Sequence, residues 1–253
     1  MSDEARHIAF EACFNFRDLG GYENRDGRRV RWNRLYRSDT LHRLTPTDVE
    51  QFDALGLRTV IDLRSATEID DHGRLAGARG HVGWHHVPML DNVKLEPKDP
   101  SEVEALVAQP LAPGEGYLRI VDQFGGSLAL AFELLSNDDA LPAVFHCTAG
   151  RDRTGIVAAL LLDLLGVPDD VIAADYVLTE QASERTTAWI EAHEPAFAAY
   201  LAQFPPERRV VRAATILGFL DGVRSTYGSV PEFLATLGIQ EGRIDVLRAQ
   251  LLE

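Results

Sequence analysis

The chain has 253 residues, 45% of them hydrophobic, and a formal net charge of −14. That is enough apolar material to bury one good core, and the acidic balance argues against a general nucleic-acid binder, which is ordinarily basic. The charge is uneven: residues 1–45 hold nine Arg against seven Asp/Glu, a balance of +2 that leaves −16 for the rest, so an anionic substrate can still meet a locally basic patch.

No repeat, low-complexity tract or Gly/Ser linker interrupts the sequence, so one domain over residues 1–253 is the expectation. Met1 to Phe16 lacks the continuous apolar core of a signal peptide. The longest apolar stretch, Ile156 to Leu165, is broken by Asp163 and falls short of the roughly 18 residues a membrane span needs. The two cysteines, Cys13 and Cys147, fit a reduced, cytoplasmic setting better than a disulfide scaffold. Export without a recognisable signal stays open, as does the oligomeric state.

Along the chain, Gly20-Gly21 and Asn24-Arg25-Asp26-Gly27 are turn signals, and Val30 to Tyr36 reads as a strand. Thr45-Pro46 predicts a helix start, with Thr45 as cap and the helix running to Leu55 before Gly56. The β-branched run Arg58 to Leu63 suits a buried strand, and Val82 to Val87 a third. Residues 91–113, with four prolines, read as a loop with one short helix; Tyr117 to Leu135 has helical apolar spacing. Ala143 to His146 is a fourth strand, and Thr154 to Leu165 a helix apolar on nearly every side, which belongs in the middle of a domain. Gly166 ends it, Pro168 opens another helix through Val177, and everything from Ser183 reads as helical, broken at Pro205-Pro206 and Gly228. Strands separated by helices imply an α/β fold with an at least partly parallel sheet, whose ligands bind beyond the carboxyl ends of the strands.

Cys147 falls at such an end, opening the loop His146-Cys147-Thr148-Ala149-Gly150-Arg151-Asp152-Arg153-Thr154-Gly155. A loop that wraps into a helix N-terminus can converge its backbone N–H groups on one anion. The same field favours a thiolate at Cys147, a nucleophile aimed at a phosphate held by residues 148–153. Arg153, six positions on, can return its planar guanidinium to grip two phosphate oxygens. Thr154 is placed to donate its hydroxyl to the Cys147 sulfur, and His146 to orient the loop. Cysteine is more often a small buried hydrophobe, but that reading leaves the surrounding Gly, Arg and Thr unexplained.

The loop resembles the signature of the protein tyrosine phosphatases, enzymes that form a phosphocysteine intermediate. Asn15-Phe16-Arg17-Asp18-Leu19-Gly20-Gly21-Tyr22, Leu35-Tyr36-Arg37-Ser38-Asp39, Val60 to Ser65, Ala174-Asp175-Tyr176 and Tyr227-Gly228-Ser229 resemble the bacterial and fungal branch that includes mycobacterial protein tyrosine phosphatase B. The resemblance implies a cysteine-phosphatase fold with a helical C-terminal part and action on phosphotyrosine, sometimes phosphoserine/threonine, and phosphoinositides. It also implies that the helical stretch 183–206 is a lid over the active site, although an ordinary packed helix pair fits the sequence equally well. Members of the branch often have Lys where this chain has Arg151, which alters the shape of the donor but not its charge.

A proton donor for the leaving oxygen is also required, and the Trp-Pro-Asp motif of other phosphatases is absent. Asp152, inside the loop, leads: it must be protonated or paired with an arginine beside a dianion, and the resembling branch has an aspartate there with a proposed catalytic role. A plain salt bridge to Arg17 or Arg64 is its bland alternative. Asp91 ends a strand in the manner of a donor loop, and Asp62 follows a buried strand. Arg17, Arg37 and Arg64 are candidates for pairing with aspartates or touching substrate. His72, His81, His85 and His86 complete no ligand pattern, so neither metal nor cofactor is expected. Two other readings stand beside the phosphatase: an inactive phosphate-recognising module, which would ordinarily have lost Cys147 or Arg153, and a rhodanese-type sulfurtransferase, against which the Arg153-Thr154-Gly155 ending argues.

Overall fold

The computed structural model describes residues 5–75, 82–91, 99, 101, 103, 111–205 and 210–253. The loop expected over residues 91–113 lies largely outside the described residues, as does His81.

Five strands, β1 (Arg17–Asp18), β2 (Leu35–Ser38), β3 (Thr59–Asp62), β4 (Gly83–His86) and β5 (Ala143–His146), form one sheet in the order β1-β2-β5-β3-β4. β1 runs antiparallel to β2, and every other pair is parallel. β5 lies between β2 and β3, with Ser38 and Asp62 both in register with His146. The three carboxyl ends therefore make one rim, and Cys147 is the first residue beyond it.

Side chains alternate across a strand, so the sheet has two buried faces. Leu35, Ile61 and Phe145 join a large core with the central and C-terminal helices. Tyr36, Val60 and Val144 join a smaller one with Phe10, Phe16 and Phe52. The helix after the loop, α5 (Asp152–Leu164), fills the larger core, and from Ile156 to Leu162 no residue is more than 2% exposed. Around it stand α6 (Asp169–Val177), α9 (Ala213–Tyr227) and α10 (Val230–Thr236). The last helix, α11 (Glu241–Leu251), brings Leu252 back to bridge Val30.

Thr45 caps α1 (Pro46–Ala54) as anticipated, in a reciprocal box with Asp48. Ser65 and Glu68 cap α2 (Ala66–His72) in the same way.

Three element boundaries differ from expectation. The strand expected over Val30 to Tyr36 shrinks to β2, because Asn33 adopts a left-handed φ of 59° and breaks the extended run. The helix expected over Tyr117 to Leu135 divides into α3 (Glu115–Gln123) and α4 (Gly125–Leu135). Phe124 turns the chain so that Gly125 comes against Leu237, where a β-carbon would lie 2.8 Å from its methyl. The C-terminal stretch breaks earlier than expected, between α7 (Glu180–His193) and α8 (Pro195–Ala202). Glu194 precedes a proline and leaves the helical region at φ −130°, ψ 63°. Among the described residues no helix is long and apolar enough to cross a membrane.

Candidate active site

The loop from Cys147 to Arg153 hangs between β5 and α5, and its underside is gripped by buried side chains. Asn15 Nδ2 donates to the carbonyls of Ala149 and Gly150 at 3.0 and 3.2 Å. Arg37 donates to the Gly150 carbonyl at 2.9 Å, and the Thr40 N–H to that of Thr148 at 3.2 Å. A trans peptide points its C=O and the following N–H in opposite directions. With three carbonyls held below, the N–H groups of Ala149, Gly150 and Arg151 point to the other side. Gly150 makes the turn at φ 64°, where a β-carbon would strike the Ser38 carbonyl at 2.6 Å.

Asp175 on α6 anchors this underside. It accepts from Arg17 Nε at 3.0 Å, from Arg37 at 2.6 Å and from the Tyr22 hydroxyl at 3.0 Å. Burial pushes the Asp175 carboxyl up, but the charges of Arg17 and Arg37 outweigh it and hold the group well below the usual carboxylate range. Arg17 is thus fully engaged beneath the loop and does not line the cavity above it. Arg64 is likewise buried: it grips Asp62 with both ends of its fork, at 2.9 and 2.6 Å. His146 stands 3.5 Å from the same carboxylate. Burial raises the Asp62 carboxyl, but His146 and Arg64 together bring it well down, so Asp62 sits as an ion-pair partner under the rim.

Above the loop is a cavity of about 240 Å³. Cys147, itself only 2% exposed, lies on its floor with Thr148, Ala149, Arg151, Asp152 and Arg153. Ala182, Thr186 and Ile190 of α7, with Phe197 and Leu201 of α8, form its largely apolar walls. The segment expected as a lid, described here over residues 183–205, therefore supplies most of that wall.

Arg153 is held by a residue that the sequence pattern did not single out. Glu68 accepts from the two terminal nitrogens of Arg153 at 2.6 and 2.9 Å, and from the Thr148 hydroxyl. The same carboxylate closes the α2 cap by accepting from the Ser65 N–H at 2.8 Å. Burial raises the Glu68 carboxyl, but the hydrogen bond and charge of Arg153 outweigh it and the group falls to about 2. Burial alone would lower Arg153, yet Cys147 and Glu68 keep it firmly protonated. The signal was present as the pattern Ser65-x-x-Glu68, which marks a capping box but says nothing of a second partner.

Asp152 opens α5 with its side chain 37% exposed toward the cavity. Its partners are neither Arg17 nor Arg64: Arg151 Nε lies 3.1 Å from each oxygen, and the Tyr117 hydroxyl donates to Oδ1 at 2.6 Å. Burial raises its carboxyl, and Arg151 and Tyr117 bring it below the usual range. Asp91 instead lies at the surface and accepts from Gln123 at 2.6 Å, although its neighbour Leu90 reaches the cavity. Thr154 is buried, and its hydroxyl has no hydrogen-bond partner among the described residues. The carbonyl it would ordinarily back-bond, that of Gly150, is already taken by Arg37 and Asn15.

Both cysteines are free, and Cys13 donates to Asp39 at 2.8 Å away from the cavity. His85 and His86 are neighbours in β4, with His86 on the Arg64 carbonyl. His72 lies 3.5 Å from Glu194 and stacks on His42, the one grouping of metal-ligating residues among those described. Burial and the nearby Arg64 and Arg43 press the His42 imidazole down to about 3, and the same positive field opposes a cation there.

Comparison with known proteins gives a consistent picture. The family described as "tyrosine phosphatase family" matches residues 8–253. A Cupriavidus necator protein whose name assigns it to the tyrosine-protein phosphatases is 32% identical, over 92% of this chain and 85% of its own. The tyrosine-protein phosphatase of Nostoc commune is 28% identical, over 85% of this chain and 73% of its own. The triple specificity protein phosphatase PtpB of Mycobacterium tuberculosis is 28% identical, over 95% of this chain and 97% of its own.

Proposed function

The chain belongs to the tyrosine phosphatase family, and on that premise we propose that it hydrolyses phosphomonoesters through a phosphocysteine at Cys147. The observation that carries the reading is the pairing of Cys147, at the cavity floor, with an Arg153 whose fork is already aligned by Glu68. The dianion is received by the upward N–H groups of the loop and by Arg151 and Arg153, donors fixed before the substrate arrives. The Cys147 thiolate attacks phosphorus opposite the leaving oxygen, and Asp152 supplies that oxygen with a proton. Water then cleaves the S–P bond with Asp152 as base. The unpartnered Thr154 hydroxyl is available to the departing sulfur. None of these steps calls for a metal.

Phosphotyrosine is the substrate this reading favours. Its ring needs apolar walls, and Ile190, Phe197 and Leu201 supply them. The name of the mycobacterial relative, a triple specificity phosphatase, supports extension to phosphoserine and phosphothreonine; phosphoinositides are the further candidates, with Arg151 as the charge that meets a headgroup. The α7–α8 pair, which walls the cavity, acts in this reading as the lid.

The test is metal-free turnover of p-nitrophenyl phosphate, a phosphotyrosine peptide, a phosphoserine peptide and a phosphoinositide. Preference for the phosphotyrosine peptide is expected. Turnover of none of them would leave a phosphate-binding module; thiosulfate–cyanide turnover would make it a sulfurtransferase.

A further inference from the structure

Two buried tyrosines that the mechanism above does not use converge on its proton donor. Tyr117 on α3 is 6% exposed and Tyr176 on α6 is 3% exposed. Their hydroxyls lie 2.6 Å apart, and that of Tyr117 lies 2.6 Å from Asp152 Oδ1. The direction of this chain follows from what each group can do. An ionised carboxylate only accepts, so Tyr117 donates its single hydrogen to Asp152. Its oxygen then accepts, so Tyr176 donates to Tyr117.

Both rings are locked. Tyr117 meets Tyr176 edge-on at 6.3 Å and Phe219 at 6.1 Å. Tyr176 lies so close to α5 that a β-carbon on Gly155 would come within 2.9 Å of its ring. Burial pushes the Tyr117 phenol far above its ordinary range, so the donor keeps its proton at any working pH.

We propose that Tyr117, supported by Tyr176, is the positioning residue of the proton donor: it ties Asp152 Oδ1 and leaves Oδ2 as the oxygen that gives and takes the proton. The proposal rests on the reading of Asp152 as general acid. Oδ2 is otherwise met by Arg151 Nε, at 3.1 Å. A dianion bound on the loop competes for that guanidinium, while the neutral Tyr117 contact has no reason to release. In the step itself the S–P bond forms at Cys147 as the bond from phosphorus to the leaving oxygen breaks. The arriving dianion's charge favours the neutral acid, so Asp152 takes a proton from water at Oδ2 as substrate binds. That Oδ2–H bond then breaks as the leaving oxygen gains the hydrogen. Asp152 is left as a carboxylate, whose new charge falls on a hydrogen bond already in place.

The test is a series of aryl phosphates of graded leaving-group basicity, read as kcat/KM for the wild type and for Asp152→Asn, Tyr117→Phe and Tyr176→Phe. For the most basic leaving groups, Asp152→Asn is expected to lose roughly 10²–10⁴-fold, as loss of a general acid does. Tyr117→Phe is expected to lose roughly tenfold for the same substrates, the scale of one hydrogen bond to a charged group. Its loss shrinks steadily as the leaving group improves. Tyr176→Phe shows the same trend with a smaller slope. A merely structural role would not tilt the leaving-group dependence, so an equal loss across the series, or none, in both tyrosine variants overturns the proposal. If Tyr117→Phe fails to fold, the slope of Tyr176→Phe alone decides between the two outcomes. A flat dependence in Asp152→Asn would instead remove the general-acid reading beneath it.

Discussion

The two sides of the loop from Cys147 to Arg153 are built from the same residue types to opposite ends. Beneath it, Arg37 is 1% exposed, and its terminal nitrogens go to Asp175 and to the Gly150 carbonyl. Burial lowers its guanidinium, and no face of it meets the cavity. Above it, Arg153 is paired just as tightly, to Glu68, yet it also lies on the cavity floor beside Cys147. An arginine whose carboxylate partner sits wholly within the protein is part of the frame. One whose carboxylate leaves it facing the cavity beside Cys147 is, on the proposed reading, a ready anion receptor.

That contrast can be broken by substitution. Changes above the loop are expected to cost turnover and leave stability alone; changes beneath it, the reverse. The largest effect is expected from Cys147→Ser, with metal-free turnover falling to background and the melting temperature unchanged. Arg153→Lys, which keeps charge but loses the fork, should drop kcat/KM by roughly 10³-fold, the scale of losing an electrostatic contact to the transition state. On the underside, Asp175→Asn leaves two buried guanidiniums uncompensated and should cost about 3–5 kcal/mol in a urea titration, since breaking a buried pair costs more than the pair is worth. A large loss of turnover with normal stability in that variant would dissolve the distinction between the two sides.

Glu68 sharpens it, because it touches both a helix cap and the receptor. Glu68→Gln should reduce kcat by on the order of 10²-fold through misplacement of Arg153. Its pH signature has a definite sign. The folded carboxyl sits at about 2 against an ordinary 4.5. Its stabilisation is therefore complete above about pH 4.5 and is lost as pH falls toward about 2. The gap in stability between wild type and Glu68→Gln should close over that window, measured by chemical denaturation at successive pH values. The smallest effect is expected at the wall: Phe197→Ala should raise KM for aryl phosphates several-fold, with kcat little changed, as for a residue that binds ground and transition states alike.

The loop was legible in the sequence because its requirements are local. A strand, a cysteine, two glycines and a following apolar helix specify the turn within a dozen residues. The sheet was legible for the same reason, strand by strand. What escaped depends on distance. For Arg17 the sequence leaves pairing with an aspartate and touching substrate both open, because its partner Asp175 lies 158 residues away and no local pattern joins them. Tyr117 and Tyr176 are 59 residues apart, and no local pattern joins them either. Glu68 went unread: the pattern Ser65-x-x-Glu68 points only to a helix cap, and only the fold brings Arg153 to it across 85 residues. The break at Glu194 was within reach, since the proline that causes it follows directly. A helical pattern on both sides concealed it.

The central claim is that Cys147 carries the phosphoryl group. Rapid quenching of metal-free enzyme during turnover of p-nitrophenyl phosphate, followed by mass spectrometry of the proteolytic fragments, tests it directly. One phosphoryl group is expected on the fragment containing Cys147, and none on the corresponding fragment of Cys147→Ser. A phosphoryl group on any other residue, or turnover that survives in Cys147→Ser, would contradict it.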